Sequence, residues 1–128
     1  MTISYRPDSI FISGETKPAF IYDNKPSLSA IFSSNDVILA TEPKSNVFLW
    51  AVNHDILVDF AHGLHLSLLG AQNVTVYGWH SDDSINMLRD GVMPTLRSDG
   101  HGGTMLIGGQ SSVDFVAAHV TPSQISLA

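Results

Sequence analysis

Six histidines in 128 residues is a high count, and four of them, His54, His62, His65 and His80, fall in the middle third of the chain. His62-Gly63-Leu64-His65 places two imidazoles at i and i+3, and converging imidazoles hold zinc or another transition ion. The spacing is not His-Glu-x-x-His, and neither Glu15 nor Glu42 is nearby. His65 alternates with leucines, so turn or surface histidines are the stronger reading. Carboxylates are the other source of ligands. Asp82, Asp83 and Asp99 could offer oxygens to calcium, a hard cation, although nothing spaces them as a calcium loop does. Calcium is thus the first cofactor to consider and zinc the second, with capping and turn formation the simpler role for these acids.

Aromatic side chains suggest a different chemistry. Trp50, Tyr77 and Trp79 would stack on sugar rings if they lined one exposed face, and Tyr77 and Trp79 are expected on the same side of a strand. Aromatics in a small β domain more often fill the core. Nucleophilic catalysis finds less support, because Gly-x-Ser-x-Gly is absent. Gly100-His101-Gly102-Gly103 is too compact for a dinucleotide loop and opens a strand rather than a helix.

The elements that must position these groups are short. Apolar clusters begin at Ile10, Phe20, Ala30, Val37, Val47, Ile56, Leu66 and Val74, at intervals of 7 to 10 residues, and turn-forming residues separate them. They are rich in Ile, Val, Phe and Tyr, and the interval is too small for a helix with its loops. The expected fold class is all-β, either a β-solenoid or β-roll or else a β-sandwich. Spacing alone leaves an antiparallel meander and a solenoid both open.

Beyond Trp79 the texture changes. Asp82-Asp83-Ser84 predicts the cap of a short helix through Arg89, ending near Gly91. Thr95-Leu96-Arg97 and Thr104–Ile107 then flank a glycine-rich turn, which predicts a hairpin. A strand at Val113–Val116 follows, and Thr121-Pro122-Ser123-Gln124 predicts a capping box. The chain therefore reads as one domain, with a repetitive strand body over 1–80 and a helix, hairpin and cap over 81–128.

Composition narrows the partners. Acidic residues outnumber basic ones by 12 to 6, and the basic ones are scattered, which argues against nucleic acid. Ten of the acids are Asp, a turn former, and only two are Glu. Apolar stretches are far shorter than the ~20 residues that span a bilayer. With no cysteine, disulfides and thiolate metal sites are excluded.

Two segments carry a resemblance. Val47–Trp50 through Asp55-Ile56-Leu57-Val58-Asp59-Phe60, followed by Leu64–Gly70, is similar to the region after the calcium repeats of hemolysin-type (RTX) proteins exported by type I secretion. The tail, Asp99–Thr104, Val113–Val116 and Thr121–Gln124, resembles their C-terminal hairpin and closing turn. The glycine- and aspartate-rich calcium nonapeptide of that family does not occur here. The resemblance implies an extracellular protein with an uncleaved C-terminal export signal, and the N-terminus shows no secretory signal pattern; a cytoplasmic protein is the alternative. The expected function is a non-enzymatic module acting in export, surface attachment or self-assembly, forming homo-oligomers or contacting cell-surface polysaccharide. A carbohydrate-binding sandwich and a histidine-based metal enzyme are the alternatives.

Overall fold

Inward and outward side chains alternate along almost every central strand, and this alternation sets the architecture. The computed structural model describes residues 2–5, 9–13, 20–23, 28–31, 36–41, 43–60, 62–88, 93–108 and 110–127, with side-chain burial from Ile31 onward. One sheet runs β1 (Thr2–Tyr5), β2 (Ser9–Ser13), β4 (Leu28–Ile31), β6 (Asn46–Trp50), β8 (His65–Leu69), β10 (Ser84–Met87) and β14 (Ile125–Leu127). The other runs β11 (Thr95–Ser98), β12 (Thr104–Gly108), β13 (Ser111–Phe115), β9 (Val74–Tyr77), β7 (Ile56–Asp59), β5 (Val37–Ala40) and β3 (Phe20–Asp23). From β2 to β10 the chain passes from sheet to sheet at every turn, and each strand pairs in parallel with the strand two places on. That is a solenoid, which resolves the choice against a meander.

One coil consists of two strands and two turns. In the central coils the register is 19 residues, with Asn46 beside His65, His65 beside Ser84 and Val37 beside Ile56. Buried residues consequently form columns: Val47, Leu66 and Ile85; Leu49, Leu68 and Met87; Ile38, Leu57 and Val76. A slip of one residue would carry Asn46 and Phe48 inward and Val47 and Leu49 outward, so the columns fix the register.

The turns repeat as well. Ala51 and Gly70 both have positive φ, and so do His54 and Asn73 and, at the opposite edge, Lys44 and Gly63. Each pair lies one coil apart. Backbone amides of one turn bond carbonyls of the next, as in Ala51 N to Leu69 O at 2.8 Å and Lys44 N to His62 O at 2.9 Å.

The helix expected after Asp82 is instead strand β10. Ile85 and Met87 are buried in the columns above Leu66 and Leu68, while Ser84 and Asn86 are half-exposed. The capping chemistry is present but points elsewhere: Asp83 Oδ1 accepts the amide of Leu64 in the preceding coil, at 2.8 Å. Residues 89–92, which include the expected helix end, lie outside the described residues.

The tail follows its expected order. β11 and β12 form the hairpin, where Asp99 Oδ1 accepts the amides of His101 and Gly103 at 2.7 and 2.9 Å, and Gly100 and Gly102 have positive φ. β13 returns antiparallel to β12 and then pairs in parallel with β9, in the place of a further coil. Thr121 and Gln124 form the capping box around the 3-10 turn Pro122–Gln124, and β14 adds to β10.

Candidate metal centre

At the turn edge between β7 and β8 and between β9 and β10, two inward positions in neighbouring coils are acidic. The column Ala40, Asp59, Gly78 ends the strands of the second sheet, and the column Ser45, Leu64, Asp83 precedes those of the first. The other members of these two columns, Ala40, Gly78, Ser45 and Leu64, are apolar or small, and the opposite edge carries its own buried pair, Asp36 and Asp55. The Asp59 and Asp83 side chains are fully buried, and His80 lies between them. Its Nδ1 is 3.4 Å from Asp59 Oδ2 and 3.3 Å from Asp83 Oδ2. That nitrogen is itself buried, and neither approach has hydrogen-bond geometry.

The surrounding turns hold these groups in place. Asp83 is oriented at both oxygens, Oδ1 by the Leu64 amide and Oδ2 by the His80 amide at 2.7 Å. Gly78 has φ of +79°, and a Cβ there would lie 2.5 Å from the Asp59 carbonyl oxygen, so only glycine lets the turn lie this close to β7. From outside, the Gln124 side-chain amide donates toward the carbonyls of Asp83, His80 and Ser81, at 3.1, 3.2 and 3.4 Å. The closing turn of the tail thus clamps the turn that carries His80.

A second layer lies toward solvent. The His62 ring packs on His80 with centroids 4.1 Å apart, and His62 Nδ1 is 3.4 Å from Asp82 Oδ2. Desolvation pushes the Asp82 carboxyl up, but the Gly63 amide and His62 together outweigh it and hold the group below the ordinary carboxylate range. Both triples, Asp59/His80/Asp83 and His62/His80/Asp82, bring ligand atoms within 4.8 Å of one another.

The fold therefore gathers His62, His80, Asp82 and Asp83 from the residues expected to bind metal, and adds Asp59. His54 is exposed on the opposite turn edge, where its amide bonds Gln72 O. His65 is exposed at the start of β8, its Nδ1 2.6 Å from Ser84 Oγ. Asp99 sits in the hairpin, where the His101 amide above all lowers its pKa, while burial and then Asp99 itself raise that of Asp114. Asp59 could have been found from the 19-residue register, which stacks it under Gly78, but the ten-residue beat of single strands hides that relation.

The aromatic residues separate. Trp79 is buried and meets Phe115 edge-on at 4.9 Å, so it belongs to the core and not to a face shared with Tyr77. Tyr77 and Trp50 are exposed but lie in different sheets, with Trp50 stacked on Phe48. No family model matches the chain, and no curated protein matches it.

Proposed function

We propose that the chain is a non-enzymatic extracellular β-roll module of the type I-secreted kind, acting in export and in self-assembly. The observation that supports this reading is the way the coil ends. Two mostly parallel sheets wind through coils of 17 to 19 residues, and the segment resembling a post-repeat tail then adds to both of them, β13 against β9 and β14 against β10. Among the described residues, β1 and β3 end the two sheets on one side and β14 and β11 on the other, and such edges can pair with another copy. No described helix is long and apolar enough to cross a membrane.

Export is tested by fusing a reporter to the N-terminus of the chain and co-expressing it with a type I exporter and its membrane-fusion partner. The fusion is expected in the medium, and deletion of 99–128 is expected to retain it in the cell. Secretion that survives this deletion, or that needs only the first residues of the chain, overturns the reading. Sedimentation across a concentration series tests self-assembly, for which a strictly monomeric chain is the opposing result.

A further inference from the structure

We propose that Asp59, His80 and Asp83 bind one divalent transition-metal ion of the zinc class, which staples the β7–β8 turn to the β9–β10 turn. The inference is independent of the export reading. Two carboxylates with no solvent exposure face one imidazole, and such groups are tolerated inside a protein when they are paired or coordinate a metal. A divalent cation neutralises both.

Geometry selects the ion. Zinc binds nitrogen and oxygen ligands at about 2.0–2.1 Å, so neighbouring ligand atoms of a tetrahedral site lie about 3.4 Å apart. The two distances from His80 Nδ1, 3.3 and 3.4 Å, have that length. They lack hydrogen-bond alignment, as expected of atoms that share an ion rather than a proton. Calcium would need about 6–8 oxygens, whereas the site offers one nitrogen and two acids. Imidazole suits zinc, copper, iron and nickel.

Outer contacts support the same assignment. Metal ligands are generally held by a further layer of hydrogen bonds, and both oxygens of Asp83 accept buried or half-buried backbone amides. Gln124 fixes the three carbonyls of the same turn. The three ligands come from two coils, so the ion joins segments about 20 residues apart and opposes separation of the last turn from the one before it.

The test uses the full chain after dialysis against EDTA. Calorimetric titration with ZnCl2 at pH 7.5 is expected to show one ion per chain, bound roughly 100-fold more tightly than calcium in a parallel CaCl2 titration. Addition of Co2+ is expected to give the intense visible bands of tetrahedral coordination. His80→Ala and Asp59→Asn should each weaken zinc binding by about 100-fold, while His54→Ala and His119→Ala leave it unchanged. Circular dichroism identifies the folded variants, and Asp59→Asn, which keeps the side-chain shape, decides the matter if His80→Ala does not fold. Absence of saturable zinc binding by the folded wild-type chain overturns the proposal. So do zinc binding unchanged in folded Asp59→Asn, and calcium binding as tight as zinc.

Discussion

The two turn edges of the coil solve the same problem with different chemistry. Each must satisfy a row of amides that face the next coil, and each uses a buried aspartate. At one edge Asp55 Oδ1 accepts the amide of Asp36 at 2.9 Å, as Asp83 Oδ1 accepts that of Leu64 at the other. Their second oxygens differ. Asp55 Oδ2 is buried without a hydrogen bond, and desolvation above all, with Asp36 adding a like charge, pushes its pKa up to about 7. Asp83 Oδ2 accepts an amide and faces His80. The edges also end differently: Ser111 and Ser112 hydroxyls accept the amides of Ala71 and Asn73 at 3.0 and 2.8 Å, whereas Gln124 closes the Asp83 edge. A buried carboxyl thus holds its proton at the first edge, whereas at the second backbone donors reach both of its oxygens and fix its orientation.

Four substitutions or conditions would break or sharpen this contrast. Gly78→Ala is expected to cost the most, about 4 kcal/mol, since the new methyl group meets the Asp59 carbonyl and the backbone is left-handed; urea denaturation measures it. Asp83→Ala leaves the Leu64 and His80 amides without their acceptor and should cost about 3 kcal/mol in the same assay. At the other edge the effect depends on pH. Folded Asp55 keeps its proton to about pH 7, and the unfolded chain releases it around the ordinary value of 3.8. Unfolding between these values releases a proton, so Asp55's contribution is full below about pH 4 and falls as pH rises toward 7, by on the order of 2 kcal/mol once solvent screening halves the full linkage value. Asp55→Asn should flatten that slope, as read from urea midpoints at pH 5 and 7.5; an unchanged slope would show that the proton resides elsewhere. Gln124→Ala should cost least, about 1 kcal/mol, and should raise amide hydrogen exchange at residues 80–83 while residues 70–73 stay protected.

Strand positions were legible in the sequence because each apolar cluster announces itself over a few residues. All eight clusters, from Ile10 to Val74, coincide with strands over their described residues, Phe32 of the third cluster lying outside these. Pairing was less legible, because the partner of His65 lies a full coil away on either side and only the sheets bring them together. The misread helix at Asp82 has the same origin. Asp82-Asp83-Ser84 carries a true amide-capping signal, but the recipient, Leu64, belongs to the previous coil. Of the centre, His80 and Asp83 were visible as residue types that bind metal. Asp59 was visible only as one residue of the Asp55–Phe60 stretch until the columns placed it inside.

The 19-residue register of the central coils also bears on how such a molecule can change length. Because the inward columns from β5 to β10 and the turn pairs Lys44/Gly63, Ala51/Gly70 and His54/Asn73 recur after 19 residues, an inserted segment of one whole coil among them would extend the roll by about 4.8 Å and leave the other contacts in phase. The strand pairing itself accommodates other coil lengths, since Phe20 pairs with Val37 and Leu28 with Asn46, 17 and 18 residues on. The length of this roll is therefore quantised in strands, one added to each sheet per coil, and not in a fixed number of residues.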